Sequence, residues 1–359
     1  MCSINNTDDF WTFKEENYGP FLKYVKDDLV TDINFNGRDT WIDHLEKGRF
    51  LAKDIEVTPD FINQFSMRLS NAVSANFNKN ENLLEAETKT LRISIIHESV
   101  ASTGRSVSIR KTDPYRRLTE PLMQKTGYCS GEMMAFLENA VKAHMNIIMC
   151  GLPGSGKTEL LKYLTRFVAD NERVITIEDN LEIHYADINP GKDAVELKVN
   201  EKLFDYTKAI KACLRQNPKW IMLSEARSTE VKYLLEAMST GTHCLTTLHT
   251  DDVRKVPDRI QNMMKDSFSA DRMENDIYSF VNVGVLLKKR INSIGVIQRY
   301  IEQIGIYNRN ERKGVNEIMM LAENGRMTNV ELPQNIEKKF AQDNIKDPFR
   351  VYGRYEHWS

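Results

Sequence analysis

Residues 145–158 read Met145-Asn-Ile-Ile-Met-Cys-Gly151-Leu-Pro-Gly-Ser-Gly156-Lys157-Thr158, and this stretch decides the fold. Its first part, the apolar run Ile147 to Cys150, has the length of a buried strand. The part that follows matches the pattern G-x-x-x-x-G-K-S/T at every fixed position. An amphipathic run from Glu159 to Val168 then predicts a helix. A strand, a glycine-rich loop and a helix in this order predict a phosphate-binding loop.

The chemistry of a phosphate explains the residue types in this loop. Glycines let the backbone turn sharply and approach an anion without a Cβ in the way. The loop N–H groups and the N-terminus of the next helix form an anion cradle. Lys157 can reach the β- and γ-phosphates of a nucleotide, and the hydroxyl of Thr158 can bind Mg²⁺. The residues predicted to bind ATP are Gly151, Leu152, Pro153, Gly154, Ser155, Gly156, Lys157, Thr158 and Glu159.

The composition excludes several classes of protein. The chain has 359 residues, enough for two domains with a large core. Its formal net charge of −2 gives no global basic field, so we expect no direct sequence-specific nucleic-acid binding. The sequence has no apolar run of about 18 residues that would predict a membrane span, and its start lacks the features of a signal peptide. The five scattered cysteines fit a reducing cytoplasm, and three of them (Cys150, Cys213, Cys244) are expected to be small buried hydrophobes.

Residues 1–111 predict a small α+β domain. Apolar residues at helical spacing predict one or two helices between residues 10 and 30, and alternation around Asn36-Gly37 predicts a hairpin over Thr31–His44. Thr58-Pro59 predicts the start of a helix that runs from Phe61 to Phe77. Two more strands are predicted at Leu91–His97 and Ser106–Lys111. Residues 112–126 hold two prolines and no clear period, which predicts a linker.

Residues 127–359 predict an α/β domain with a C-terminal appendage. Strands and helices alternate after the first helix, which Ser130 caps, and this predicts a parallel sheet with right-handed crossovers. The predicted strands are Ile147–Cys150, Arg173–Asp179, Trp220–Leu223, Cys244–His249, Val281–Lys288, Gly295–Ile306 and Val315–Leu321. The predicted helices are Gly131–Ala143, Glu159–Val168, Leu203–Leu214, Thr229–Ser239, Val253–Lys265 and Asp271–Phe280. The polar tail from about Asn324 has no predicted structure.

Polar side chains follow the predicted strands at the edge where open α/β sheets bind ligands. Glu178 and Asp179 end one strand and are candidates for polarising water or, with Thr158, for holding Mg²⁺; the alternative is a solvated strand end. Glu225 follows Trp220–Leu223 and is the carboxylate placed to orient an attacking water as a general base; the alternative is a structural glutamate. His249 could hydrogen-bond a γ-phosphate or the adjacent carboxylate, although its position alone favours a structural role.

Four segments occur in an order that resembles the secretion-superfamily ATPases, the traffic ATPases of type II and type IV secretion, type IV pili and archaeal-type motors. Gly151–Thr158 resembles their Walker A loop, Val174–Glu182 their acidic Asp box, Trp220–Arg227 their Walker B motif and Thr240–Thr250 their His box. Upstream, Val30–Ile42 resembles the N-terminal domain hairpin of the type IV secretion and tight-adherence pilus branches. The similarity covers about residues 20–320. The sequence has no four-cysteine zinc motif after Walker B, which argues against the type II assembly branch.

This resemblance implies a RecA-like P-loop NTPase C-terminal domain with a smaller α+β N-terminal domain. It implies a homo-hexameric cytoplasmic ATPase that hydrolyses Mg-ATP, with the nucleotide between the two domains. The ring would drive secretion, conjugative transfer or pilus assembly through a membrane-embedded platform protein at the inner face of the cell membrane. Glu178, Asp179 and His249 would then tune the γ-phosphate site, and Arg92 and Arg110 match the inter-subunit arginines of the family. Spacing alone assigns these two arginines to exposed strand charges.

Two departures from the family pattern keep other functions open. Ser224 replaces the usual Gly of Walker B, and Thr242 stands where the first His of the His box is usual, with His243 one place later. They suggest a nucleotide-gated scaffold with little hydrolysis, against which Glu225 argues. A DNA-translocating RecA-like motor is the other alternative. A cluster of Lys and Arg facing a central pore would favour such a motor, and the sequence shows no such cluster.

Overall fold

The computed structural model describes residues 2–3, 13–200, 203–264, 270–292, 296–310 and 313–351. The chain divides into two compact units. The first unit comprises Met1–Pro114 and Ile291–Ile297, and the second comprises Tyr115–Arg290 and Gln298–Ser359.

The first unit packs helices on one sheet. Its elements are β1 (Cys2–Ser3), α1 (Glu15–Tyr18), α2 (Leu22–Val25), β2 (Val30–Phe35), β3 (Thr40–His44), β4 (Gly48–Leu51), α3 (Pro59–Ala72), β5 (Leu83–Glu87), β6 (Leu91–Ile96) and β7 (Ser106–Lys111). The described strands form a seven-stranded sheet in the order β1-β5-β6-β7-β2-β3-β4. Helix residues such as Phe65 and strand residues such as Ile33 and Ile93 share one apolar core.

The predicted hairpin of the first unit is confirmed, and so is the capped start of the predicted helix, which ends at Ala72 rather than at Phe77. β2 pairs antiparallel with β3, with Phe35 opposite Thr40, and Gly37 at the turn has φ +95°, a conformation that glycine adopts without strain. The Thr58 hydroxyl accepts a hydrogen bond from the N–H of Phe61 at 3.2 Å and so caps α3. β4 and β5 were not predicted from the sequence. Residues 10–12 of the predicted first helix lie outside the described residues.

The second unit holds the remaining elements. From residue 115 to residue 248 they are α4 (Glu120–Thr126), α5 (Gly131–Lys142), β8 (Ile147–Cys150), α6 (Lys157–Leu164), β9 (Val174–Glu178), α7 (Tyr185–Ile188), β10 (Ala194–Lys198), α8 (Tyr206–Cys213), β11 (Trp220–Leu223), α9 (Glu230–Ser239) and β12 (His243–Leu248). The later ones are α10 (Val256–Met263), α11 (Ala270–Phe280), β13 (Val283–Ile291), β14 (Ile297–Asn310), β15 (Val315–Glu323), β16 (Arg326–Met327) and α12 (Gln334–Gln342).

The sheet of the second unit has, among the described residues, nine strands in the order β10-β9-β11-β12-β8-β13-β14-β15-β16. The first six are mutually parallel, whereas β15 pairs antiparallel with both β14 and β16. All four residues of β8 are buried, as expected for a strand covered on both faces. Ile147 and Met149 pack into one core with α5 and α6, while Ile148 and Cys150 pack into a second core with α8 and α9. The predicted α/β class is therefore confirmed as a three-layer arrangement.

The predicted linker 112–126 is wrong in its secondary structure, because its second half forms α4. Pro121 is one of the two prolines on which the linker prediction rests, but it lies in the first turn, where a helix tolerates proline. The Thr119 hydroxyl caps the helix, Gly127 ends it with φ +63°, and Met123 is fully buried in the core of the second unit. The division of the chain into the predicted domains stays a prediction.

Other elements of the second unit also differ from the sequence-based ones. Helix α8 begins at Tyr206 rather than Leu203, because the Asp205 carboxylate caps it by accepting from the N–H of Lys208 at 2.8 Å. Strand β10 was not predicted, and the polar tail contains α12, which buries Ile336 and Phe340. Two predicted end residues, Lys265 and Gly295, lie outside the described residues.

Candidate nucleotide site

One edge of the second unit's sheet collects the polar residues that the sequence singles out. Because parallel strands point the same way, their carboxyl ends meet at a single edge. Lys157 follows β8, Asp179 follows β9, Glu225 follows β11 and His249 follows β12. The four neighbouring strand ends therefore bring together side chains that are up to 92 residues apart in the chain.

The phosphate loop runs from the end of β8 to the start of α6, and its glycines are required by its geometry. Gly151 has φ +149°, and a Cβ on it would lie 2.5 Å from the carbonyl oxygen of Leu287 and 2.5 Å from Oγ of Ser155. Gly154 and Gly156 have φ values of +75° and +95°. A larger residue at these positions would strain the backbone. Because the glycines have no Cβ, the N–H groups of the loop stay uncovered for an anion.

Lys157 is buried at the first position of α6. Its Nζ donates to the carbonyl oxygen of Gly151 at 3.0 Å and to that of Leu152 at 3.4 Å, and it lies 3.4 Å from Nδ1 of His249. Burial lowers the pKa of Lys157, and the carboxylate of Glu225 opposes that shift. A desolvated ammonium with only neutral partners is well suited to receive a phosphate.

Glu225 lies at the centre of the site and is mostly buried. Its Oε1 is 3.1 Å from Nε2 of His249, and its Oε2 accepts a hydrogen bond from Arg227 at 2.8 Å. A His249 ring that is protonated on Nε2 donates to Glu225 and accepts from Lys157, so this neutral tautomer satisfies both contacts. The structure thus links the phosphate-loop lysine to the predicted general base through one imidazole.

Asp179 reaches the same network through Arg227. The Nη1 of Arg227 donates to Oδ2 of Asp179 at 2.7 Å, while the Nε of the same guanidinium donates to Oε2 of Glu225. Burial alone would lower the pKa of Arg227, but the carboxylates of Asp179 and Glu225 raise it above its usual range. Arg227, which the sequence analysis left without a role, therefore fixes both carboxylates relative to each other.

Glu178 does not join this network. Its side chain is fully buried, and its Oε2 accepts from the backbone N–H groups of Glu182 at 2.9 Å and Ile183 at 3.1 Å. Its Oε1 has no hydrogen-bond partner in the described part of the chain. Burial raises the pKa of Glu178 to about 8, so the group is mainly neutral at pH 7. The two backbone N–H groups that this carboxyl accepts from support a structural role for Glu178.

Glu182 is the carboxylate that contacts the Thr158 hydroxyl, which the sequence predicts to bind Mg²⁺. Its Oε2 accepts a hydrogen bond from Oγ1 of Thr158 at 3.3 Å. Sequence reasoning missed this residue, although the Asp-box segment Val174–Glu182 ends on it. Hydroxyl and carboxylate oxygens are the ligands that Mg²⁺ prefers. Neighbouring Glu159 accepts from the backbone N–H of Arg117 at 3.3 Å, which places it on the flank of α6.

The two histidines of the His-box segment lie at opposite ends of β12. His249 follows the strand, whereas His243 begins it and packs against His144, with a ring-centroid distance of 4.8 Å, and against Trp220, at 5.4 Å. Burial and the nearby His144 lower the pKa of His243 to about 3, so it stays neutral. The displaced histidine therefore stabilises the far edge of the sheet and does not contact the phosphate loop.

Arg92 and Arg110 lie in the first unit and face each other across the β6–β7 pair. Like charges in register repel unless they are compensated. Asp32 accepts from Nε of Arg110 at 2.8 Å, and Glu85 lies 3.6 Å from Nη2 of Arg92. The two arginines are therefore neighbours on one sheet face, while their contact with a nucleotide stays a prediction.

The described residues hold no group of three or more His, Cys, Asp or Glu side chains that could hold a metal ion. In the same residues, we find no helix with the length and apolar character needed to cross a bilayer.

A parallel sheet covered by helices on both faces, together with the glycine–lysine loop, defines the second unit as a RecA-like P-loop domain. The chain belongs to the Type II/IV secretion system protein family, a family of traffic ATPases, whose model matches residues 79–341. An uncharacterized protein of Bacillus anthracis is 28% identical over 263 residues, 72% of this chain and 59% of that protein. Type IV secretion system protein VirB11 of Bartonella quintana is 29% identical over 189 residues, 49% of this chain and 52% of that protein.

A solved structure supports the same fold. The ATPase DotB of Legionella pneumophila matches with a TM-score of 0.58 and 17% identity, covering 77% of each chain. At this identity the likeness shows the fold alone. The chain spans between 52% and 59% of the length of the two sequence relatives.

Proposed function

We propose that this chain hydrolyses Mg-ATP as a homo-hexameric ring at the cytoplasmic face of the cell membrane. The ring would drive secretion, conjugative transfer or pilus assembly through a membrane-embedded platform protein. The observation that carries the proposal is the contact series from Lys157 through His249 to Glu225 at the phosphate loop. Membership of a family of traffic ATPases supports it.

The residues of the second unit divide the work of binding. The loop N–H groups and Lys157 would hold the β- and γ-phosphates. Thr158 and Glu182 would hold Mg²⁺, directly or through water, because their oxygens are already in contact. Bound Mg²⁺ would neutralise charge that develops on the phosphates during transfer.

Glu225 would act as the general base that orients and deprotonates the attacking water. In the present structure both of its oxygens are engaged, one by His249 and one by Arg227. Activation of water therefore requires that one of these contacts opens, which couples hydrolysis to a rearrangement at the strand ends. Asp179 would steady Arg227 during that change, and His249 would transmit it to Lys157.

Arg92 and Arg110 would act in trans. We propose that a neighbouring protomer presents this pair to the γ-phosphate, where two cations stabilise the charge of the transition state. Their mutual proximity supports the proposal, because an anion between them would relieve their repulsion.

Steady-state Mg-ATP hydrolysis at high protein concentration tests the enzyme. We expect slow turnover by the native chain and a loss of about 10²-fold or more for Glu225→Gln, with ATP affinity retained. Glu236→Gln is the matched control, because Glu236 is an exposed acid on α9, the helix that follows. If the assembled native chain binds ATP but does not turn it over, the chain is a nucleotide-gated scaffold and the proposed activity is wrong.

A further inference from the structure

Two cations lie against the outer side of the phosphate loop, and neither follows from the loop motif. β13 runs parallel to β8 with Leu286 opposite Cys150, so the next residues of β13 run beside the loop. Lys289 on this strand donates from Nζ to the carbonyl oxygen of Pro153 at 3.3 Å. Arg299 on β14 donates from Nε to the carbonyl oxygen of Gly154 at 3.0 Å.

Both side chains pack where the loop itself has no side chains. A Cβ on Gly156 would lie 3.3 Å from Cδ of Arg299, and a Cβ on Gly154 would lie 3.3 Å from Nζ of Lys289. The glycines therefore serve two purposes, since they free the N–H groups of the loop and let two positive charges approach it.

Among the residues that the structure describes, no carboxylate lies at contact distance from Lys289 or Arg299. In the ranges that the structure describes, neither residue forms an ion pair, and the two terminal nitrogens of Arg299 have no hydrogen-bond partner. Glu159 favours the charge of Arg299 from a distance, but burial outweighs it and lowers the pKa of Arg299.

The neighbouring cations on β13, Lys288 and Arg290, have side-chain partners. Lys288 pairs with Glu302 at 2.8 Å. Arg290 donates to the side chain of Gln298 at 2.9 Å and lies over the ring of Tyr300. A cation held by neutral carbonyl oxygens alone keeps the capacity to bind an anion strongly.

We propose that Arg299, supported by Lys289, binds the phosphates of the nucleotide from outside the glycine loop, in the same protomer as Lys157. This proposal rests on the proposed ATP binding. The terminal nitrogens of Arg299 provide charge-assisted hydrogen bonds, and Lys289 adds a second positive charge at the loop.

Titration of the full chain with ATP, at low and at high salt, tests the proposal by calorimetry. We expect Arg299→Gln to weaken ATP binding about ten- to a hundredfold, the range for one lost charge-assisted contact. Lys289→Gln should weaken it severalfold. Native affinity should fall more steeply with salt than that of either variant. Arg290→Gln is the matched control, a cation of β13 that does not touch the loop, and should bind as the native chain does.

The outcomes separate the possible failures. Gln at position 299 can still donate to the carbonyl of Gly154, so a role in loop shape alone predicts near-native affinity and native salt dependence, and that result overturns the proposal. Equal thermal stability of Arg299→Gln and Arg290→Gln shows that the loss of affinity does not come from unfolding. If the native chain fails to bind ATP, the proposed function itself is wrong. If Lys157→Ala abolishes binding while Arg299→Gln does not weaken it, this inference alone fails.

Discussion

Replacement of Glu178 by Gln should remove a pH dependence of stability that the burial of this carboxyl gives the native chain. Burial raises the pKa of Glu178 from 4.5 to about 8 in the folded chain. Between these values the folded chain keeps a proton that the unfolded chain releases. The free energy of unfolding therefore falls by about 1.4 kcal/mol for each pH unit. The stabilisation is complete below pH 4.5 and is lost as the pH rises towards 8, and about 2–3 kcal/mol of it is lost between pH 5 and pH 7.

Glu178→Gln keeps an oxygen for the two backbone N–H groups of Glu182 and Ile183 and removes the ionisation. As the pH rises from 5 to 7, we expect the free energy of unfolding of the variant to increase by about 2–3 kcal/mol relative to that of the native chain. Urea titrations at each pH, read by hydrogen exchange of peptides from β9 and β11, measure this difference where the side chain lies. Glu236→Gln, an exposed substitution, should show the native pH dependence. Parallel pH profiles for native and Glu178→Gln proteins would falsify the assignment of a neutral buried carboxyl.

The same variant decides which carboxylate serves Mg²⁺. If Glu178 is structural, Glu178→Gln should need no more Mg²⁺ for ATP hydrolysis than the native chain does. Glu182→Gln should need more, because Glu182 contacts the hydroxyl of Thr158. A raised Mg²⁺ requirement in Glu178→Gln, with Glu182→Gln unchanged, would restore the sequence-based assignment of Glu178.

Two further experiments probe the loop and the ring. Gly151→Ala should abolish ATP binding in calorimetry, because its Cβ would lie 2.5 Å from the carbonyl oxygen of Leu287. The control is Gly241→Ala, where φ is +91° and a Cβ would have nothing within 4 Å; this variant should bind ATP normally and lose only about 1–2 kcal/mol of stability in thermal melting. Lys157→Ala and Arg110→Ala should each lack hydrolysis alone and regain part of it when mixed, since a mixed ring pairs an intact loop with an intact arginine; no recovery in verified mixed oligomers would place Arg110 outside the neighbouring site.

Local patterns explain what the sequence predicted well. The phosphate loop, the strand before it and the helix after it depend on residues within about 20 positions. The carboxyl-end positions of Glu225 and His249 follow from parallel pairing alone. α4 was missed because Pro121 can either break a helix or open one, and only the cap at Thr119 distinguishes the two. β10 was missed because every residue of this strand is half-buried, which leaves no clear apolar face.

Long-range geometry explains the residues that the sequence analysis missed. Glu182 reaches Thr158 only because the chain between β9 and α7 turns back towards α6. Lys289 and Arg299 reach the loop only because β13 lies beside β8, a pairing between segments more than 130 residues apart that no motif announces. Arg227 was quoted as part of a motif, but its role depends on a contact with Asp179, 48 positions earlier.

The strand ends at the nucleotide site also set when the site can form during folding. β8 pairs with β12 and β13, and these strands begin at residues 243 and 283, long after β8 at residue 147. Contacts between distant segments form late, because long loops must close first. A nascent or truncated chain that lacks β13 would present the loop motif without Lys289 beside it. Nucleotide that binds only the finished arrangement would stabilise it by mass action, so ATP would favour completed subunits over partly folded ones.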